Sequence, residues 1–283
     1  AASDVYKRQT LGSTTAICSD KTGTLTQNEM TITKVYTDFK EFDVSGSGYA
    51  PIGEISHKGE KIDEHEQIKL LMTIASFSND ANLTEDSGMY QITGDPTEGA
   101  MLTLSEKWGI NQEELNEAHP RIDEIPFDSD RKMMTTFHNI EDSYYAMTKG
   151  APDIIIKNSS KIMVDGKLED FTDDLKEKVL EENTKLARLA LRVMAYAFKP
   201  YESLENEELT TENIEREMIF VGLTGMIDPP REEAKKAVEE CHNSGIDVIM
   251  ITGDYFETAL AIAKDLGIAE NADQAMQGSD LNN

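Results

Sequence analysis

The 283-residue sequence has only two cysteines and one tryptophan. Two cysteines cannot staple a small scaffold together, and Cys18 and Cys241 both lie in apolar-periodic segments, where they read as small core residues rather than a disulfide. That fits a reducing, cytosolic setting. Positive charge is scarce as well: 27 Lys and Arg stand against 54 Asp and Glu, for a net charge of −27. This balance argues against nucleic acid or anionic lipid as a partner. A site for an anionic ligand must gather its cations locally. No apolar run approaches the roughly 20 residues that span a bilayer; the longest is at 219–227. No secretory signal is seen. The five histidines, His57, His65, His119, His138 and His242, show no metal-ligand spacing and read as surface or core residues. What is present is an ordinary soluble composition, 39% hydrophobic and 29% charged, on a chain long enough for two domains with separate cores.

The chain is organised around the stretch 17–26, Ile-Cys-Ser-Asp-Lys-Thr-Gly-Thr-Leu-Thr. Thr15, Ala16 and Ile17 predict a short buried strand ending at Asp20, and Gly23 permits a tight turn just after it. A carboxylate at the C-terminal end of a strand, in a turn with free N–H groups, suits phosphoryl capture. The N–H groups and Lys21 stabilise phosphate oxygens while Asp20 attacks as a nucleophile. An isolated D-x-x-G is an ordinary turn, but seven ordered residues from Asp20 to Thr26 make a far more specific signal.

Beyond it, 31–36 is β-prone and 45–53 is polar and glycine-rich, a natural crossing into an inserted region. Helical spacing of Ile68, Leu71, Met72 and Ala75 predicts a helix over 64–79, followed by a polar loop over 79–88. A strand at 90–93 leads into Gly94-Asp95-Pro96-Thr97-Glu98, which by itself is a turn and helix start. Strands at 121–127 and 133–138 flank a charged turn; taken alone, Phe127 reads as a core residue. A strand at 144–148 runs into Lys149-Gly150-Ala151-Pro152. There Gly150 allows close backbone approach to a ligand, and Lys149 can present a compact charge to a phosphate. A long helix is predicted over 173–191, with Leu175, Val179, Leu186 and Leu189 toward the core. A strand follows at 191–198, near whose start Arg192, taken alone, has a surface ion pair as its alternative reading. The acidic stretch 200–217 reads as a solvated connector. Run 219–227 predicts a strand buried on both faces, and Asp228-Pro-Pro-Arg231 opens a helix ending at Gly245. A second buried strand at 247–251 leads to Thr252-Gly253-Asp254 and a helix closed by Gly267. This order predicts parallel neighbours, with Asp20, Asp228 and Thr252 at strand ends, the side where open α/β sheets bind ligands.

Asp20-Lys-Thr-Gly-Thr-Leu-Thr26 resembles the phosphorylation motif of the P-type, cation-transporting ATPases, and 17–30 is similar to the calcium-pump and sodium/potassium-pump branch. The likeness runs from about residue 11 to at least 267. It implies an α/β fold: a haloacid-dehalogenase-like parallel sheet, the phosphorylation domain, incomplete here, with an inserted α+β nucleotide-binding domain built on an antiparallel sheet. The implied division is 10–32 and 219–283 for the two parts of the phosphorylation domain, the second truncated, and 33–218 for the insertion, too long for a loop. Residues 1–9 do not resemble the family and are set apart as non-native.

The resemblance also implies roles. Glu98 faces the adenine amino group, Phe127 stacks on adenine, and Lys132, Lys149, Gly150 and Arg192 line the rest of the ATP pocket. Ser129 stands where some members carry an arginine, which removes one phosphate contact. Thr252 and Gly253 hold phosphoryl oxygens, while Asp228, Arg231 and Asp254 line the site and the hinge to the nucleotide domain. The implied reaction is transfer of the γ-phosphoryl of ATP to Asp20, with Mg²⁺ held by the Asp20 carboxylate, the Thr22 carbonyl and a further carboxylate. Related phosphatases carry a second aspartate where Thr22 stands, and a threonine activates water poorly, so an aspartyl phosphate should persist. The implied partners are ATP and the transmembrane and actuator parts of a cation pump, with calcium the ion of the similar branch, at the cytoplasmic face of a membrane. The chain ends before the family's later phosphate-binding lysine and metal-binding motif, so weak or absent self-phosphorylation is expected. The alternatives are a soluble haloacid-dehalogenase-type phosphatase, or a nucleotide-binding module inactive because truncated.

Overall fold

A computed structural model describes residues 14–141, 143–203, 210–253 and 256–278. Contacts divide the chain into two compact units, Met30–Ile227 and the pair of segments Ala1–Glu29 and Asp228–Asn283. The expectation for residues 1–9 lies outside the described residues.

The first strand, β1 (Ala16–Asp20), ends at the aspartate and enters a turn over Lys21–Leu25, in which Gly23 has φ +72°, the left-handed region that glycine occupies without strain. The larger unit opens with the antiparallel strands β2 (Thr31–Thr37), β3 (Lys40–Val44), β4 (Ile55–His57) and β5 (Glu60–Lys61). Helix α1 (Glu66–Phe77) follows, then a hairpin of β6 (Asn82–Asp86) and β7 (Met89–Thr93). Helix α2 (Pro96–Lys107) starts where Asp95 accepts the Thr97 N–H at 2.7 Å and Pro96 supplies a pre-set φ. After α3 (Gln112–Ala118) come the antiparallel strands β8 (Arg121–Asp128), β9 (Met133–Ile140) and β10 (Ser143–Gly150). Then follow α4 (Pro152–Asn158), β11 (Ser159–Val164), β12 (Lys167–Asp170), α5 (Asp173–Arg188), β13 (Arg192–Tyr201), α6 (Thr211–Ile214) and β14 (Met218–Ile227).

These strands form one sheet in the order β5-β4-β3-β2-β14-β13-β10-β9-β8, to which β11 and β12 attach through β14. Its two faces are read directly from β13. Tyr196 and Phe198 pack with Ile68, Leu71 and Met72 of α1 and Met101 of α2; Ala195 and Ala197, one residue out of phase, pack with Ile155 of α4 and Val179 and Leu186 of α5. A sheet covered by helices on both faces has two cores.

In the smaller unit, α7 (Glu232–Asn243) precedes β15 (Asp247–Ile251), which pairs in parallel with β1, Asp20 lying opposite Ile251. Helix α8 (Phe256–Asp265) follows.

Several expectations are corrected. The run 219–227 was expected as a parallel strand of the phosphorylation domain; it forms β14, antiparallel to both β13 and β2 in the large sheet. Burial on two faces produces the same apolar run whichever direction the neighbours take. By contacts, β14 falls in the larger unit, Met30–Ile227. The loop expected over 79–88 is largely a hairpin, whose exposed, polar strand β6 carries no readable alternation. Leu189 is exposed, because α5 ends at Arg188. Ile17 and Cys18 on β1 are exposed and Cys241 is half-buried, since among the described residues β1 has only β15 as a partner. The stretch 200–217 is not merely solvated: β13 extends to Tyr201, and Ile214 and Glu215 are buried.

Candidate functional site

In the smaller unit, Asp20 is exposed at the end of β1, with Lys21 buried behind it. The turn that follows is fixed by the segment after β14. Asp228 accepts the Thr26 hydroxyl at 2.6 Å and the Asn28 N–H at 2.8 Å. The Thr26 hydroxyl in turn accepts the Gly23 N–H at 3.3 Å. Arg231 donates through Nε to the Thr26 carbonyl at 2.9 Å, and its own N–H reaches the Leu25 carbonyl at 2.8 Å. A carboxylate and a guanidinium roughly 200 residues along the chain thus hold the loop in which Asp20 sits. Thr252 and Gly253 follow β15, whose last residue lies opposite Asp20 in the ladder. Asp20, Thr252 and Gly253 are brought to the same end of one parallel pair. Asp254 lies outside the described residues.

In the larger unit the register does the gathering. Asp128 lies opposite Met133, Met133 opposite Gly150, and Gly150 opposite Ala195. Phe127, Lys132, Lys149 and Gly150 therefore share one end of the sheet, and Arg192 stands at the start of β13, three residues before Ala195. Gly150 is required there: a Cβ would sit 2.6 Å from the Lys132 carbonyl oxygen. That carbonyl accepts the Ala151 N–H at 3.0 Å. Phe127 is 61% exposed, unlike the core residue its type alone suggests; the register shift between Ile125 and Asp128 spans it and turns the strand locally.

Lys149 is 4% exposed and forms an ion pair with Glu98 on α2. Burial lowers the ammonium pKa, and the Glu98 carboxylate only partly offsets this. Glu98 also accepts the Asp80 N–H at 3.3 Å through its other oxygen, and its backbone carbonyl accepts from Asn79 at 3.0 Å. Arg121 donates to Asp80 at 2.7 Å and to the Asn79 carbonyl at 2.8 Å. Asn79, Asp80 and Arg121 were not foreseen as site residues. They surround the Lys149–Glu98 pair from segments up to about 70 residues away, which no local pattern reveals. At Asp95, burial alone would raise the carboxyl pKa; the Thr97 hydrogen bonds and the nearby Arg192 charge outweigh it and hold the group below its ordinary range.

Among the described residues no three His, Cys, Asp or Glu side chains gather to hold a metal. The oxygens of the Asp20 turn are carboxylates, those of Asp20 and Asp228, and main-chain carbonyls such as that of Thr22. These hard oxygens suit Mg²⁺, which keeps several waters and takes further ligands from substrate phosphates. Among the described residues no helix is long and apolar enough to cross a membrane.

In the larger unit an exposed ring, two lysines and a close-approach glycine gather at one sheet end, and the smaller unit by itself carries a strand-end aspartate on a parallel pair, so that both units are of α/β type. The profile of the family described as P-type ATPase, cytoplasmic domain N, matches residues 67–233, and the chain belongs to that family. It is 41% identical over 277 residues to a calcium-transporting ATPase of Bacillus subtilis, covering 97% of this chain and 31% of that protein. It is 43% identical over 275 residues to calcium-transporting ATPase 1 of Bacillus cereus, covering 97% and 29%. A cation-transporting ATPase of Synechocystis is 41% identical over 283 residues, covering 96% and 31%. The chain thus spans about three-tenths of the length of these relatives.

Proposed function

We propose that this chain is the ATP-binding and phosphoryl-accepting portion of an ATP-driven cation pump, on the cytoplasmic side of a membrane. Its partners would be the pump's transmembrane and actuator portions, and calcium is the ion the relatives' names point to. The observation that carries the reading is the shared sheet end of Phe127, Lys132, Lys149 and Gly150. In a chain of net charge −27, an exposed ring and two lysines at one spot suit a nucleotide: the ring for the base, the cations for the phosphates.

In this reading adenine stacks on Phe127 and its amino group faces Glu98. Lys132, Lys149 and Arg192 neutralise phosphate charge, and Gly150 lets the backbone approach. The Asp20 carboxylate oxygen forms a bond to the γ-phosphorus as the bond from that phosphorus to the β,γ-bridging oxygen breaks, and ADP leaves. Catalysis is positioning and charge neutralisation. Lys21, the turn N–H groups, Thr252 and Gly253 hold the transferred group's oxygens, with Asp254 completing the motif. Asp228 and Arg231 keep the turn in shape. Asp20 and the Thr22 carbonyl would hold Mg²⁺, which when bound neutralises charge on the transferring group. The small parallel pair is in this reading part of a haloacid-dehalogenase-like sheet. Thr22 offers no base to activate water, so the acyl phosphate persists.

Titration with ATP, followed by incubation with γ-labelled ATP and Mg²⁺, tests the proposal. Micromolar to millimolar binding weakened by Lys149→Ala is expected, and any acid-stable label must disappear in Asp20→Asn. Rapid hydrolysis of simple phosphate esters without ATP binding would instead identify a phosphatase.

A further inference from the structure

Glu215 is 1% exposed in a stretch otherwise rich in solvated acids. Its Oε1 accepts from Arg131 Nη1 at 2.5 Å and from the Thr135 hydroxyl at 2.9 Å, and Thr135 bonds on to Thr148 at 2.9 Å. Its Oε2 is buried with no hydrogen-bond partner among the described residues. A buried carboxylate with one oxygen unsatisfied is costly and calls for a reason. Burial raises its pKa, against the opposing pull of Thr135 and Arg131.

The reason lies in what Arg131 holds. The same guanidinium donates to the Met133 carbonyl at 3.0 Å and to the Pro126 carbonyl, one strand away. It therefore ties together the two strands of the hairpin at the positions adjoining Phe127 and Lys132. The turn between them is further fixed by Asp128, whose carboxylate accepts the N–H groups of Asp130 and Arg131 at 3.0 and 2.9 Å. The anchor itself is firm. Lys199 donates to the carbonyls of Asn213 and Arg216 on either side of Glu215, and Ile214 packs with Phe137 and Ala146.

We infer that Glu215 is a positioning residue for base recognition: through Arg131 it fixes the hairpin that presents the Phe127 ring. The inference rests on the nucleotide reading above and deepens it. A carboxylate 88 residues downstream of Phe127 would then set affinity for the adenine ring while touching no part of the nucleotide.

The test is a double-mutant cycle on ATP affinity, with inorganic tripolyphosphate as a probe lacking the base. Glu215→Gln keeps the shape of the side chain and removes its charge. It is expected to weaken ATP binding about fivefold or more, a fraction of what a stacked base contributes, and to weaken tripolyphosphate, which meets only Lys132 of the hairpin, by clearly less. In the Phe127→Ala background its effect on ATP should shrink to what tripolyphosphate shows. If Glu215→Gln does not fold, Arg131→Gln, which leaves Glu215 with Thr135, is expected to give the same pattern. Equal weakening of ATP in both backgrounds, or weakening of both probes alike, would overturn the inference and leave the nucleotide reading standing. Failure of the unaltered chain to bind ATP would overturn both.

Discussion

Lys149 and Glu98, 51 residues apart in sequence, meet as a buried ion pair between the end of an interior strand and a helix start. Desolvation opposes the charge on Lys149, and Glu98 is what keeps that charge tolerable.

Removing one partner of such a pair is therefore expected to cost about 3–5 kcal/mol of stability. Glu98→Gln, compared with the unaltered chain by urea unfolding, should show it. A difference under about 1 kcal/mol would mean that the pair is far better hydrated than its burial indicates.

The same burial gives a pH signature. The folded state releases the Lys149 proton at lower pH than the unfolded state, whose ordinary value is 10.5. Below the folded pKa the charge opposes folding; as pH rises from there toward 10.5, the unfolded state binds more protons and stability rises. The stability of the unaltered chain relative to Lys149→Met should climb over that window. A flat difference would remove the desolvation argument.

His138 provides an acid counterpart. Burial, outweighing the bond with the His119 carbonyl, pushes its pKa from 6.5 down to about 4. As pH falls below 6.5 the unfolded state takes up a proton that the folded state refuses until about 4. Stability is lost across that interval, by about 3 kcal/mol in all. Proton NMR of the imidazole should show His138 unprotonated at pH 5.5; a midpoint near 6.5 would contradict the burial account.

Two phenylalanines ten residues apart should behave oppositely. Phe127→Ala removes an exposed ring and should leave the unfolding midpoint nearly unchanged while weakening ATP by about 1–3 kcal/mol. Phe137→Ala empties a fully buried site and should cost about 3–5 kcal/mol of stability. Equal destabilisation by both would place Phe127 in the core after all.

Gly150→Ala would drive a methyl group against the Lys132 carbonyl and the Met133 side chain. A loss of about 1–3 kcal/mol of stability is expected, as for other overpacked sites, together with weaker ATP binding because the hairpin carrying Lys132 must move. Calorimetry on this single variant reads both quantities.

The legible parts of the fold were those whose signal is local. Pro96 after Asp95, the apolar run 193–198 in β13 and the helical spacing of Ile68, Leu71 and Met72 each predict their element from a few neighbouring residues. Strand direction was not legible: β14 carries an apolar run that a parallel or an antiparallel position would demand equally. Nor was the role of Glu215, because an acidic residue among acidic residues looks solvated until Arg131 and Thr135, some 80 positions earlier, close over it.

By itself the sequence determined the chemistry on offer: a strand-end aspartate in a glycine turn, a Lys-Gly-Ala-Pro element, and too few cations to place them idly. Those are properties of short segments, fixed by residue type and spacing. Tertiary structure decided which groups meet. Ladder register aligned Phe127, Lys132 and Gly150, helix packing brought Glu98 to Lys149, and Asp228 and Arg231 closed on the Asp20 turn from 200 residues away. Burial, and with it the lowered pKa values of Lys149 and His138, follows from such meetings, because desolvation depends on what surrounds a charge and not on its neighbours in sequence.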